Sequence, residues 1–408
     1  MLPFDLIEKL VETVTLVDPS LSSTKACSLV SHDWLPICRK HIFASVVLNE
    51  PHLRGMRQAP RQITIPLLQK KIKACPDVAG YIRSVVYTLS ELDFRSNASV
   101  DALVEVFTKL ARLQSLSLVQ GTGYEYRSLE WCRIRPAFVK VFRQSSLTSL
   151  SVIRIPNIIV ADLAVCKSLD DIHFADVSFA TACSEIPHSP LQLHTLAVGA
   201  NDGADIEYLR DLRCSDGRAF IDFSKIKDVA LGNFTPHDID NSEELLRLCT
   251  SIENMKITLN LYKQEAGDQD TFIPAGLSNV QTLKNLFYEL TLYGYDDGED
   301  VYLCLSEELS KMAYKNVLEE ICIQVSLPMW GNSLRDYSPG AEWGTIDEVL
   351  GGPGFPTLRD VTVAIVINSS NKDIKEIAKK FRAMEKVQFG RLSASNSVRF
   401  HFLIGQSD

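Results

Sequence analysis

The chain has 408 residues, is 46% hydrophobic and carries a formal net charge of -9. That length and apolar content suffice for a large core and two or three domains. The acidic balance excludes general nucleic-acid affinity, which needs a basic surface to displace counterions. The 10 cysteines are scattered with no Cys-x-x-Cys pair, so they read as reduced, buried small hydrophobes of a cytoplasmic or nuclear protein. Asp5 and Glu8 stand where a secretory signal would carry basic residues. The longest apolar run, near Val361 to Ile367, is far below the ~18 residues that cross a bilayer. No membrane role is expected.

Residues 1–48 read as a small helical module. The first helix is expected just after Leu2-Pro3, where proline is tolerated because an amide at a helix entrance has no intrahelical acceptor. Leu6, Ile7, Leu10, Val11 and Val14 recur at helical spacing and form a broad apolar stripe. Asp18-Pro19-Ser20 breaks that helix. Ser22-Ser23-Thr24 offers N-cap oxygens for a second one, carrying Ala26, Cys27, Leu29 and Val30. A third has Asp33 as its cap and Trp34, Ile37, Cys38 and His41 on one face. A unit below roughly 50 residues cannot hide that much apolar surface within itself. The surplus must face either the rest of the chain or another protein.

These residues resemble the F-box, in the wording found in fungal F-box-like proteins. The shared features are Leu2-Pro3, then Asp5-Leu6-Ile7, then the Cys-x-Leu-Val-Ser-x-x-Trp segment from Cys27 to Trp34, and a closing Ile42-Phe43. The usual Asp-Leu-Leu before the second helix is replaced by Pro19-Ser20-Leu21-Ser22. The resemblance implies docking on the Skp-type adaptor of a cullin-based ubiquitin ligase. Leu2, Pro3, Leu6, Ile7, Leu10, Leu29, Val30, Trp34 and Ile37 would be the adaptor contacts, with Trp34 alternatively internal to the module. The competing reading makes these helices only the N-terminal cap that shields the end of a repeat protein.

Residues 49–80 form a linker region. Pro51 to Pro76 holds no acid, and Leu67, Leu68 and Ile72 suggest a short amphipathic helix ending at Cys75-Pro76-Asp77. Its cations read either as a patch for an acidic partner or as a solvated helix face.

From residue 81 to 408 a pattern recurs: an apolar residue, two or three spacers, then two apolar residues at strand alternation. Examples are Ile82-Arg-Ser-Val85-Val-Tyr87, Leu113-Gln-Ser-Leu116-Ser-Leu118, Leu147-Thr-Ser-Leu150-Ser-Val152, Ile226-Lys-Asp-Val229-Ala-Leu231 and Leu358-Arg-Asp-Val361-Thr-Val363. Fixed spacing within a unit and irregular spacing between units is what stacked strand-plus-connector turns give. The series resembles degenerate leucine-rich repeats without their terminal Asn. Helices are expected between strands, as at Asp101 to Leu110, Glu243 to Leu248 and Asp373 to Phe381. The expected fold class is α/β: a three-helix F-box followed by a curved, parallel-sheet solenoid with helices on one face. A compact α/β domain is the alternative.

Strand alternation aims the residues flanking the two buried positions into the concavity. In successive repeats these are Ser149 and Ser151, Asp171 and His173, then Thr195 and Ala197, and Ser149, Ser151, Asp171, His173 and Thr195 are the candidate target contacts. Two insertions could add to recognition: the acidic Tyr293 to Asp300, and Met329 to Pro356 with Trp330, Tyr337 and Trp343. Catalytic signatures are absent: no Gly-x-Ser-x-Gly elbow, Walker loop or His-Glu-x-x-His. Gly351-Gly352-Pro353-Gly354 reads as a turn. Cys27, His32, Cys38 and His41 lack zinc spacing, and Asp296, Asp297, Glu299 and Asp300 lack calcium-loop spacing. No cofactor, metal or enzymatic activity is expected. The function expected is that of a substrate receptor joining a Skp-type adaptor, and through it a cullin, to an unidentified target protein. The alternative is a repeat scaffold without a ligase role.

Overall fold

A computed structural model describes residues 4–18, 20–49, 63–89, 96–121, 131–143, 146–180, 190–199, 204–232, 236–262, 281–293, 303–328, 342–368 and 374–406. The chain divides into two compact units, residues 1–191 with 213–218, and residues 192–212 with 219–408. The expected boundaries at 48 and 80 both fall inside the first.

The first unit opens with α1 (Phe4–Val17), α2 (Ser22–Cys27) and α3 (Trp34–Ile42). Their caps differ from expectation. The Asp18 carboxylate accepts the backbone N–H groups of Ser20 (3.1 Å) and Ser23 (2.7 Å), so it occupies the site intended for Ser22-Ser23-Thr24. These bonds, with the Ser20 hydroxyl first among them, hold its carboxyl down at about 2. Leu21 takes a left-handed φ of 58 to make the turn. α2 stops at Cys27, which leaves Leu29 and Val30 in a turn and not on a helix. Asp33 is already helical and makes no capping bond.

A short strand follows within the stretch read as the helical head: β1 (Ser45–Leu48). Then come α4 (Ile65–Ala74), α5 (Asp77–Tyr81), β2 (Ser84–Leu89), α6 (Asn97–Lys109), β3 (Ser115–Gln120), α7 (Trp131–Phe142), β4 (Ser149–Ile153), a 3-10 turn at Val160–Val165, and β5 (Asp171–Ala175). α4 buries Leu68 and Ile72 and leaves Leu67 exposed. α6 buries Leu103, Val106 and Phe107 as its periodicity predicts, and Ser96 caps it by accepting the Ser99 amide. Strands β1 to β5 pair in parallel with their neighbours in chain order. The register aligns Val85, Leu116, Leu150 and Ile172 in one buried row and Tyr87, Leu118, Val152 and Phe174 in the next. Helix aromatics cap these rows, with Phe107 6.0 Å from Tyr87 and 5.2 Å from Phe138 between ring centroids.

The second unit repeats the plan. It holds β6 (Thr195–Gly199), α8 (Ala204–Asp211), β7 (Asp228–Gly232), α9 (Pro236–Leu248), β8 (Asn254–Tyr262), β9 (Asn285–Tyr293), α10 (Leu303–Met312) and β10 (Glu320–Pro328). After these come α11 (Glu342–Leu350), β11 (Asp360–Asn368), α12 (Ile374–Gln388), α13 (Gly390–Ala394) and β12 (Arg399–Gln406), the last unannounced by the repeat pattern. Strands β6 to β12 are again parallel and in chain order. Leu196, Val229, Met255, Leu286, Ile321 and Val361 form one buried row. The Gly351–Gly354 stretch is a turn after α11. A Cβ at Gly351 would stand 2.7 Å from the Asp347 carbonyl and 2.9 Å from Arg391 Cβ, so glycine is required by close approach. Both units are therefore α/β, with parallel strands that bury one face beneath helices.

Candidate functional site

Two surfaces carry the expected site residues. The first is the helical head. Ile7, Val11, Ile37 and Cys38 form its core, with Cys27, Trp34 and Ile42 packed against it. Ile7 and Ile37, expected as adaptor contacts, are 4% and 0% exposed and hold the helices together. Trp34 is half-buried on the same core. Leu6, Leu10, Leu29 and Val30 point outward, at 52%, 47%, 86% and 67% exposure. Phe4 is exposed as well. Leu2 and Pro3 lie outside the described residues. The division follows helix geometry. Ile7 and Val11 are one turn apart on the inner face of α1, and Leu6 and Leu10 are displaced around it.

The second surface is the sheet face opposite the helices. In the first unit, register places Ser149 beside Asp171 and Ser151 beside His173. Ser151 Oγ and His173 Nδ1 lie 3.1 Å apart, and burial pulls the imidazole below its ordinary value. Thr195 belongs to the second unit, in a row with Asp228, Asn254, Asn285, Glu320, Asp360 and Arg399. That row occupies the same place in its repeats as Ser149 and Asp171 do in theirs. Repeat position marks the row, and strand register sets which of its residues meet. One row outward, Lys227 and Lys284 flank Glu253 at 3.0 and 2.8 Å and lower its pKa, Lys284 first. One row inward, the Lys256 ammonium lies 2.9 Å from Glu289 and 4.9 Å from the Phe287 ring centroid. A groove of about 370 Å³ runs across these strands, lined by Asp228, Asn285, Phe287, Glu320 and Asp360 among others.

Neither a family model nor a curated protein matches this chain. The functional reading therefore stands on its own residues.

Among the described residues no group of three or more His, Cys, Asp or Glu side chains could hold a metal, and no helix is long and apolar enough to cross a membrane. Cys27, Cys38, Cys75, Cys166, Cys214, Cys249 and Cys322 are free thiols. Cys166 and Cys249 are pushed up by burial to about 11 and about 12, which leaves them protonated and inert at neutral pH. The acidic insertion after Tyr293, apart from that residue, and residues 329–341 of the second insertion lie outside the described residues. Trp343 is fully buried and packs the core, its ring centroid 5.6 Å from that of Phe389.

Proposed function

We propose that this chain is a substrate-receptor subunit of a Skp–cullin–F-box ubiquitin ligase, acting in the cytoplasm or nucleus. Its head helices dock on the Skp-type adaptor, and its parallel sheets, read as degenerate leucine-rich repeats, hold a target protein. One observation carries the reading. The head completes its own core with Ile7, Val11, Ile37 and Cys38 and still exposes Leu6, Leu10, Leu29 and Val30. Four large apolar side chains left in water on so small a module mark it as a contact site. The chain's contribution is proximity, which turns a bimolecular encounter between target and ubiquitin-charged enzyme into a local one.

Titration calorimetry of the full chain with purified adaptor tests this. Binding at micromolar concentration, abolished by Leu29→Glu with Val30→Glu while the melting temperature is kept, supports it. Folded protein that ignores the adaptor overturns it. That outcome would favour a repeat scaffold whose head is only a cap. The cap reading draws on β1, which follows α3 directly and pairs with β2, Ala44 accepting the amides of Arg83 and Ser84 at 2.8 and 2.9 Å.

A further inference from the structure

We infer that the notch between Asn285 and Glu320 on the second unit's sheet recognises an arginine side chain of an extended target segment. The inference rests on the substrate-receptor reading and names the chemistry of the target.

The argument begins at Asp228. An ionised carboxylate only accepts hydrogen bonds. Asn254 Nδ2 donates to Asp228 Oδ1, so Asn254 must present its Oδ1 to the next strand. There Asn285 Nδ2 donates to it at 2.6 Å. The polarity of the amide ladder is thereby fixed, and Asn285 is left with its own Oδ1 as an acceptor. The next residue in register is Glu320, exposed and itself an acceptor. Beyond Glu320, Asp360 already receives Arg399 at 2.6 Å. Arg399 is the cation whose charge reaches Glu320, and it is held by Asp360; Lys256, in the adjacent row, is committed to Glu289 and to the Phe287 ring. Among the described residues no side chain donates to Glu320 or to Asn285 Oδ1. Two acceptors on neighbouring strands, whose backbones run about 4.8 Å apart, thus line one groove, and no described side chain donates between them.

Charge selects the occupant. The groove lining carries three carboxylates, Asp228, Glu320 and Asp360, and one ammonium, Lys256; Arg399 pairs with Asp360 and Lys256 with Glu289, so among the described residues Asp228 and Glu320 keep no salt-bridge partner. A guanidinium fits best because its forked donors can reach two acceptors at once, where an ammonium is a point charge.

The test applies the full chain to an array of short random peptides, with a second array in which citrulline, the neutral analogue, replaces arginine. Retained peptides are expected to be rich in arginine. Citrulline should weaken them on the order of tenfold, the usual scale for a hydrogen bond to a charged group. Glu320→Gln should weaken the arginine peptides equally and leave the citrulline peptides unchanged, with circular dichroism and melting as in the parent. Asn285→Ala serves as a second variant. Retention of acidic or wholly apolar peptides, retention of none, or an arginine preference that survives both variants overturns the inference. Adaptor binding measured on the same preparations separates the two ideas: intact adaptor binding with failed peptide selection removes only this one.

Discussion

Among the described residues of the first unit, the buried Asp162 carboxylate is held by a forked guanidinium. Arg135 Nε approaches both Asp162 oxygens at 3.0 and 2.9 Å, and a terminal nitrogen reaches one at 2.8 Å. Asp162 is buried and Arg135 is partly exposed, tying α7 to the 3-10 turn beside the internal Pro136. Removing Arg135 takes the forked charged partner away from the buried Asp162 carboxylate. Arg135→Ala should cost about 3 kcal/mol in urea unfolding, the low end for a broken buried pair because water still reaches the guanidinium. His173 gives a pH dependence. Its folded pKa is lowered from 6.5 by burial, so below that pH the unfolded state binds more protons and stability falls as acid is added. Unfolding at pH 7 and pH 5.5 should show a loss that His173→Gln reduces. Glu105, held at about 2 by Lys109, then Gln69 and Lys73, acts in a lower window. Its contribution is complete above 4.5 and is lost as the pH falls toward 2.

Within the head, core and surface positions alternate along one short helix pair, and substitution separates them. Ile37→Ala opens a cavity at a fully buried site and should cost about 2–5 kcal/mol. Leu29→Glu touches an exposed turn and should move stability by less than about 0.5 kcal/mol while removing adaptor binding. Thermal melts beside calorimetry distinguish them; equal destabilisation would mean the exposed patch is structural. The same elements show what a sequence can disclose. Val85, Tyr87, Leu116 and Leu118 were legible because alternation is a local property of a half-buried strand. β1 carries the repeat spacing at Phe43-Ala44-Ser45-Val46-Val47-Leu48 but lies inside the stretch read as the helical head, whose closing Ile42-Phe43 absorbs its leading residue. β12 was missed because Phe400, Phe402 and Ile404 follow Ser395–Val398 with no leading Leu-x-x. The Asp33 and Ser22 caps failed because which side chain accepts a given backbone amide is decided by turn geometry, with the Asp18 carboxylate reaching the Ser23 amide five residues on. The Asn285–Glu320 notch was illegible because it depends on parallel register between residues 35 apart in sequence.

Across the molecule, each described strand pairs with chain neighbours, so long-range order is assembled from adjacent steps. In such arrays stability is approximately a sum of local terms and nearest-neighbour interfaces. Loosening one repeat should then be felt next door before it is felt far away. Leu290 tests this well: it is buried in β9, flanked in register by Leu259 of β8 and Val325 of β10. Leu290→Ala should cost about 2–5 kcal/mol locally. Deuterium uptake measured by peptide should rise first in β8, β9 and β10, with β2 to β4 protected as in the parent. A uniform rise across both units would mean the chain opens as one cooperative body. A groove substitution such as Glu320→Gln would then no longer report on its own surface alone, because any strain it introduced would reach the head as well.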